Sequence, residues 1–290
     1  MENNGKKRTK KKSRIVDIWR QLKKNKLAVV SLFVILAIAL MAILAPLLAP
    51  YSFEVQDTKR TLEGSSSDHL LGTDRLGRDV LSRLIYGARQ SLQMGILATA
   101  ISAIIGIFIG AIAGYYGGWI DNIIMRLLDI YQSIPMFLLC VTFAAVLGPS
   151  LRNAVIAIGI ASVPGSARMM RATILTVRET EYVEAARSIN AGNGRIIFKH
   201  VIPNAISPLI VSITMGIGGA VMSGAGLSFI GLGAQPPTAE WGAMISDARN
   251  YMRAHGELAL YPGLCIMVTV LAFNLLGDGL RDALDPRLKN

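Results

Sequence analysis

The sequence predicts an all-α membrane protein with six transmembrane helices and with its N- and C-termini in the cytoplasm. Apolar residues make up 52% of the 290 residues and charged residues only 17%, whereas about 25% of residues are charged in a soluble domain. Six segments are also apolar over roughly the 20 residues that a helix needs to cross a bilayer. This composition excludes a disordered chain and an ordinary soluble enzyme, and the two Cys exclude a disulfide scaffold.

Residues 1–26 form a basic segment. They hold 11 of the 30 basic residues and two of the 19 acidic residues, so the remaining sequence is nearly neutral. Basic residues beside a first transmembrane helix stay in the cytoplasm and are attracted to anionic lipid. We therefore interpret residues 1–26 as a cytoplasmic N-terminal segment whose partner is membrane lipid and not nucleic acid.

Residues 27–50 are predicted to hold the first transmembrane helix. The apolar run extends from residue 27 to residue 45 with Ser31 as its one interruption, and Pro46 and Pro50 end it. This run is longer than the apolar part of a signal peptide, and further apolar segments follow it. We therefore predict an uncleaved helix.

Residues 51–90 are polar, rich in Gly and predicted to lie outside the cell. At the end of this segment four apolar side chains share one face of a helix: Val80, Leu81, Leu84 and Ile85. The pattern predicts an amphipathic helix that lies on the outer membrane surface before the second transmembrane helix.

Residues 91–280 are predicted to form a core of five further transmembrane helices. The candidate segments are residues 95–114, 123–147, 153–171, 206–226 and 261–277. The segment 153–171 is the weakest because Pro164 and Gly165 interrupt it, and we expect Pro135 and Pro164 to kink their helices. Arg126 and Asp129 are predicted to form an ion pair within the third helix, with a gating role as the alternative.

Three hydrophilic segments connect or follow these helices: a cytoplasmic loop at residues 172–203, an external loop at residues 227–260 and a cytoplasmic tail at residues 281–290. In the first of these, an apolar stripe with helical spacing precedes a break rich in Asn and Gly; the stripe is Tyr182, Ala185, Ala186 and Ile189. Such a helix could dock in a groove of a partner protein or lie on the inner leaflet.

The sequence shows no catalytic or metal-binding constellation. It contains no Walker A motif, and His69, His200 and His255 are far apart and unaccompanied by Cys. Cys140 and Cys265 lie in apolar segments and are expected to be inert. We therefore expect a chain that is not an enzyme, holds no metal and binds no cofactor of its own.

Residues 184–192 read Glu-Ala-Ala-Arg-Ser-Ile-Asn-Ala-Gly, and residues 199–204 read Lys-His-Val-Ile-Pro-Asn. Together they resemble the "EAA" loop of permease subunits in ABC importers. Asn190 stands where that family usually has Gly, and Ile202 stands where Leu is usual. Because Asn tolerates a left-handed backbone, we expect the turn to survive, with Gly192 sharing the role.

Further segments resemble the C-type permeases of the dipeptide, oligopeptide and nickel ABC importers. They are Leu-Gly-Thr-Asp-Arg-Leu-Gly-Arg-Asp at 71–79, Gly-Ala-Arg-Gln-Ser-Leu at 87–92, Leu-Ser-Phe-Ile-Gly-Leu-Gly at 227–233, Trp-Gly-Ala at 241–243, and the tail segments 274–282 and 285–288. The resemblance covers about residues 27–288 and implies the type I ABC importer permease architecture, as a multi-pass protein of a bacterial or archaeal inner membrane.

The resemblance implies a permease that imports peptides by alternating access and hydrolyses no ATP itself. Its partners would be a homologous second permease, two ATP-binding subunits that carry ATP and Mg, and an external solute-binding protein. The loop at 172–203 would couple to the ATPases, with Glu184 as a charged anchor, through Tyr182, Glu184, Ala185, Ala186, Ile189, Asn190, Gly192 and Pro203.

The fifth predicted helix suggests a solute pathway, although packing explains the same pattern of small residues. Its candidate pathway residues are Ser212, Met215, Gly216, Gly219 and Ser223. For Gly106, Gly110 and Gly114, spaced four apart, we expect close helix packing. Two alternatives stay open: import of nickel or a metal chelate by the same machine, and a stand-alone secondary transporter, although the internal repeat typical of that class is not found.

Overall fold

The computed structural model describes residues 14–284, which form helices and, as the one β-type pairing in that range, an isolated bridge between Thr73 and Asp79. The helices are α1 (Arg14–Leu22), α2 (Lys26–Ile43), α3 (Ala45–Leu48), α4 (Val80–Tyr116), α5 (Gly118–Gln132), α6 (Met136–Leu147), α7 (Leu151–Ala161), α8 (Val163–Val177), α9 (Glu181–Ser188), α10 (Asn193–Arg195), α11 (Ile202–Phe229), α12 (Trp241–Ala248) and α13 (Glu257–Leu284). A π-helical turn (Ile196–Val201) joins α10 to α11, and a 3₁₀ turn (Arg249–Tyr251) follows α12.

Four helical segments of the described chain are long and apolar enough to cross a membrane. They are α2, α4, the run from α10 through α11, and α13. The pair α5 and α6 meets the same criterion together but is bent by 82°, so it counts as a fifth span only if the pair is one crossing. The predicted kink at Pro135 is confirmed, because this residue lies in the break and precedes α6.

The predicted transmembrane helix at 153–171 is not one helix. Ser162 ends α7 and precedes α8, and Pro164 occupies the first turn of α8. Pro lacks a backbone N–H, and its ring clashes with the carbonyl four residues earlier, so a helix seldom continues through it. Four or five of the six predicted spans are therefore found as candidate spans among residues 14–284.

The helix predicted to lie on the outer surface is instead the start of α4. This helix runs for 37 residues without a break, which is about 55 Å at 1.5 Å per residue and nearly twice the bilayer core. Asp79 caps its N-terminus, because Oδ2 accepts a 2.7 Å hydrogen bond from the Ser82 N–H. Gly117, with φ of +66°, ends it.

The close packing predicted for the three spaced glycines is confirmed. A Cβ atom built on Gly110 would lie 2.8 Å from the Met170 Cβ, and one on Gly114 would lie 3.0 Å from the Ile174 Cβ. A Cβ on Gly106 would likewise collide with Ser166. Because only Gly permits this approach, α4 and α8 are packed backbone to backbone.

The N-terminal and C-terminal ends of the described chain pack together. Leu22 at the end of α1 is buried beside Leu276 and Ala283 of α13. Of the predicted N-terminal segment, residues 1–13 lie outside the described residues, and 14–22 are helical. The tail predicted at 281–290 begins as the last turn of α13, and residues 285–290 lie outside the described residues.

Candidate functional site: the predicted coupling loop and the polar cleft

The predicted coupling loop consists of the short helix α9, a tight turn and the beginning of α11. Asn190 has φ of +58°, as predicted for a residue that replaces Gly in a left-handed turn. The Asn190 N–H donates to the Arg187 carbonyl at 2.8 Å and the Ala191 N–H to the Ala186 carbonyl at 3.1 Å, which is the Schellman pattern that ends a helix. Gly192 has φ of −62° and does not share this role, so that expectation was wrong.

Helix α9 has a buried face and an exposed face. Val183 is fully buried and Ala186 is 7% exposed, whereas Tyr182 is 44% and Ile189 80% exposed. The prediction that Ala186 belongs to the docking face was therefore wrong. Val183 and Ala186 lie one turn apart on the side facing the core, and their neighbours Tyr182, Glu184, Ala185 and Ile189 point outward.

The buried face of α9 is fixed to the ends of α4 and α8. Val183 and Ala186 belong to a core cluster with Met170, Ile174 and Ile196. A hydrogen bond of 2.9 Å from the Arg178 guanidinium to the Gly114 carbonyl adds a polar tie between α8 and α4. The loop is thus part of the helical core.

Two side chains attach the turn to the end of α4. The Tyr115 hydroxyl donates a 2.9 Å hydrogen bond to Oδ1 of Asn193, and the Arg187 guanidinium lies 5.5 Å from the centre of the Tyr115 ring, within the range of a cation–π contact. Glu184 is exposed and makes no ion pair with any residue that the structure describes. Pro203 lies in the first turn of α11, where Pro is well tolerated.

The predicted ion pair between Arg126 and Asp129 is replaced by two pairs between helices. Asp129 of α5 binds Arg168 of α8 at 2.6 Å, and Arg171 of α8 forms a bidentate pair with the buried Asp121. Arg126 lies on the exposed face of α5. Because the packing of α8 against α5 brings Arg168 to Asp129, a partner 39 residues away replaces the local one.

The five predicted pathway residues separate into two groups. Ser212 and Gly216 line a cavity of about 160 Å³ between α4, α8 and α11. Met215 instead packs against Gly277 of α13. Gly219 is exposed and Ser223 half-buried. The structure therefore brings two of the five to one polar cleft. Thr99 and Ser102 of α4 line the same cleft, and sequence reasoning missed them because periodicity along one helix does not identify its neighbour.

The segment before α4 contains a buried network of charges that sequence reasoning missed. Arg78 is 1% exposed and donates to Asp74 at 2.6 Å and to Asp247 at 3.0 Å. Arg83, 2% exposed, lies 3.5 Å from Asp74 and donates to the carbonyl of Phe53. This network joins the segment before α4 to α12. The sequence signal that could have predicted this network is a group of charged residues flanked by Gly in an otherwise apolar chain.

A second buried contact lies deeper on the same side. Glu240 is fully buried and caps α12 by accepting hydrogen bonds of 2.9 Å from the Gly242 and Ala243 N–H groups. It also accepts 2.9 Å from the Ser91 hydroxyl of α4. The Trp241 indole donates at 3.0 Å to the Leu84 carbonyl, so α12 is anchored to α4.

A partly exposed ion pair lies in the segment between α3 and α4. The Arg60 Nε and Nη2 atoms donate to Glu63 at 2.6 and 2.9 Å. These hydrogen bonds lower the pKa of Glu63 below its usual value. This pair is at the surface, so its contribution to stability is small.

Two family patterns match the chain. Residues 106–290 match the family described as "Binding-protein-dependent transport system inner membrane component", and residues 13–64 match "N-terminal TM domain of oligopeptide transport permease C". Among named relatives, the chain is 48% identical to the dipeptide transport system permease protein DppC of Alkalihalophilus pseudofirmus, over 94% of this chain and 90% of the relative.

Two other relatives are similar over nearly the whole chain. The di/tripeptide transport system permease protein DppC of Pseudomonas aeruginosa is 46% identical over 96% of this chain and 94% of the relative. The glutathione transport system permease protein GsiD of Pectobacterium atrosepticum is 46% identical over 94% of this chain and 91% of the relative.

Solved structures share the fold at low sequence identity. A chain of the inward-facing MetNI methionine ABC transporter aligns with a TM-score of 0.57 and 20% identity, over 70% of this chain and 97% of that chain. A chain of an amino acid ABC transporter aligns with a TM-score of 0.53 and 19% identity, over 68% and 92%. The expected type I ABC importer permease fold is therefore confirmed, and the chain belongs to the family of binding-protein-dependent transport system inner membrane components.

Proposed function

We propose that this chain is the membrane-spanning permease subunit of an ATP-driven importer of di- or oligopeptides. Dipeptides, di/tripeptides and glutathione, the solutes in the names of the relatives, are all short peptides. The chain would lie in a bacterial inner membrane beside a homologous second permease and receive peptide from an external solute-binding protein. Two separate ATPase subunits would bind ATP and Mg, hydrolyse the ATP and drive alternating access.

The exposed face of α9 is the observation that carries the coupling part of this proposal. Ile189 is 80% exposed at the end of a helix whose opposite face is buried. Glu184 of the same helix is also exposed and forms no ion pair with residues 14–284. A rigid support under an apolar and acidic surface suits a joint that transmits force to a partner. A helix that only lay on lipid would not need this anchorage to α4 and α8.

We further propose six crossings with both termini in the cytoplasm, with α7 and α8 together forming the fourth. The contacts between segments support this arrangement. The segment before α4 contacts α12 through Arg78 and Asp247, so these two parts share one side. The opposite end of α4 contacts the α9 loop through Tyr115 and Asn193, so this loop lies on the other side, as a cytoplasmic joint requires.

The test is uptake in the native host after deletion of this gene, with a labelled dipeptide, labelled glutathione and nickel offered separately. We expect loss of peptide uptake, with recovery when the wild-type gene is returned. Loss of nickel uptake alone would replace the peptide with a metal or a metal chelate. If no uptake is lost, peptide import by this chain is refuted in a host that has no second peptide importer.

The coupling surface is tested separately by Glu184→Arg. We expect the variant to insert at the wild-type level but to lose co-purification of the ATPase subunits, because the charge reversal lies on the exposed face. Glu179→Arg is a matched control, since Glu179 is also exposed but precedes α9. Normal recovery of the ATPases with Glu184→Arg would contradict the assignment of this face.

A further inference from the structure

The cavity beside α11 is lined by hydroxyl groups from three helices. α4 contributes Thr99 and Ser102, the α7–α8 break and α8 contribute Ser162 and Ser166, and α11 contributes Ser212. The nine residues that line it include no charged side chain. Five hydroxyls around about 160 Å³ form a polar surface in a helical bundle whose other interhelical contacts are mostly apolar. We refer to this cavity as the hydroxyl cleft.

Two of these hydroxyls have hydrogen-bonding capacity that the described chain does not use. Thr99 is 9% exposed, and its Oγ1 is buried without any hydrogen-bond partner. Ser212 makes no hydrogen bond with the residues that the structure describes, although it lines the cleft. A buried hydroxyl without a partner is costly in a protein interior. A hydrogen bond to a partner from outside the chain would remove this cost.

The other three hydroxyls of the cleft still have free acceptor positions, and this indicates which kind of ligand the cleft could bind. Ser102 and Ser166 hydrogen bond to each other at 2.8 Å, and Ser162 donates to the Ile158 carbonyl at 2.7 Å. Each hydroxyl has one donor and two acceptor positions, so the cleft offers both functions without net charge. A peptide backbone unit presents one donor and one acceptor and matches this surface, whereas Ni²⁺ prefers imidazole, thiolate or carboxylate ligands.

The cleft also lies where the helical bundle is interrupted. Ser162 and Gly165 line both the hydroxyl cleft and a second cavity of about 310 Å³, whose wall includes Gln132 and Pro135. The break between α7 and α8 and the bend between α5 and α6 therefore lie beside two neighbouring cavities that share part of their wall. A path that opens and closes requires such interruptions, and irregular backbone at membrane depth is tolerated where it lines a cavity.

We propose that the hydroxyl cleft is the place where this permease holds the backbone amides of a peptide in transit, through Thr99 and Ser212. This inference rests on the proposed function, since it names how the same chain contacts its solute. Uncharged hydroxyls suit a transient contact, because they recognise the amide common to all peptides and bind it weakly enough to release it. Side-chain selectivity is then left to the external solute-binding protein.

The primary test compares Thr99→Val/Ser212→Ala with Thr214→Val in the deletion strain, using labelled trialanine. The Thr214 hydroxyl donates to the Ile210 carbonyl of its own helix and does not line the cleft, so it is a control on the same helix. We expect the double variant to lower the maximal uptake rate about tenfold with little change in the concentration for half-maximal uptake, which the external binding protein sets. We expect the control to stay within about twofold, as for a surface change.

The replaced hydroxyls have no partner in the described chain, so a purely structural role predicts no loss of stability or of uptake. The amount of permease in the membrane and the co-purified ATPases are measured for each variant. If wild type restores trialanine uptake and the double variant transports as well as the control, the inference is overturned while the proposed function stands. If wild type itself restores no peptide uptake, the proposed function fails first.

A peptide modified at one amide gives a sharper test. Trialanine methylated at its central amide nitrogen lacks one donor, and wild type is expected to transport it more slowly than trialanine at saturation. If the hydroxyls contact this amide, methylation should reduce the transport rate less in Thr99→Val/Ser212→Ala than in wild type, because the effects of removing two contacting groups are not additive. An equal penalty in both proteins would refute contact with the backbone.

Filling the cleft provides an independent variant. A Cβ atom on Gly165 would meet nothing within 4 Å, so Gly165→Met is expected to block uptake by occupying the space. Gly263→Met in α13 is the control, because a Cβ there would also meet nothing within 4 Å and the residue does not line the cleft. Equal uptake by the two variants at equal membrane levels would contradict a role for the cleft in passage.

Discussion

The two ends of the long helix α4 use charged residues in opposite ways. Around its start Arg78, Arg83 and Glu240 are at most 2% exposed and are paired within the chain. Beyond its other end, in the α9 loop, Glu184 and Arg195 are exposed, and the interior beneath them is apolar. Both segments are hydrophilic connections between apolar helices in the sequence. The difference teaches that one end is built as a closed unit and that the other keeps its charges available for a partner.

The largest effect on stability is expected at Arg78, and its absence would contradict this comparison. Replacement of Arg78 by Met removes the positive charge that pairs with the Asp74 and Asp247 carboxylates in a buried site. We therefore expect the free energy of unfolding to fall by about 3 kcal/mol. Arg75→Met is the matched control, because Arg75 also binds Asp247 but is 37% exposed, so its loss should cost less than about 1 kcal/mol. Thermal unfolding of the purified protein in lipid nanodiscs measures both, and equal shifts would mean that burial does not distinguish them.

The next effect separates the two faces of α9. Val183→Ala removes buried methyl groups and should lower the free energy of unfolding by about 2 kcal/mol, whereas Ile189→Ser should change it by less than about 0.5 kcal/mol. Recovery of the ATPase subunits should show the reverse order, with the larger loss for Ile189→Ser. Retention of the ATPases by Ile189→Ser would show that the exposed face is not a docking surface.

A smaller effect is expected at the turn that ends α9. Asn190→Val places a β-branched residue at φ of +58° and should cost about 1–2 kcal/mol, while Asn190→Gly should be neutral or stabilising. The same unfolding measurement applies. If Val were tolerated as well as Gly, the left-handed turn would not exist in the membrane-bound protein.

The smallest effect is a pH dependence at Glu63. Because its pKa is lowered in the folded chain, its pairing with Arg60 stabilises the fold at pH values above the ordinary pKa of Glu, about 4.3. The stabilisation is lost as the pH falls through the lower pKa of the folded state. The difference in thermal midpoint between wild type and Glu63→Gln should therefore be present at pH 6 and shrink toward pH 3. A difference in thermal midpoint that grows on acidification would contradict the lowered pKa of Glu63 in the folded chain.

Local patterns predicted the parts of the fold that depend on hydropathy and turn chemistry. The apolar runs at α2, α4, α11 and α13, the bend at Pro135 and the turn at Asn190 depend on residues close in sequence. The continuity of α4 was missed because no helix-breaking residue separates its amphipathic start from its apolar remainder, and a change in polarity does not end a helix.

The remaining errors concern partners that are distant in the chain. Asp129 binds Arg168 and not its neighbour Arg126, and Arg78 is buried because Asp247 reaches it from α12. Likewise, the side of α9 that faces the core is set by the position of α8 and the π-helical turn. Such pairings depend on how helices pack, which periodicity along a single helix does not encode.

The unbroken length of α4 has a mechanical consequence. Its first turn carries Arg83 of the buried charge network, and its last turn carries Tyr115, which holds the α9 loop. A rigid rod about 55 Å long that tilts by about 10° around its centre moves each end by about 5 Å in opposite directions. Because the glycine contacts hold α8 against it, the two helices would swing as a single lever, and a push on the α9 loop would reach the charge network at the other end without any intermediate relay.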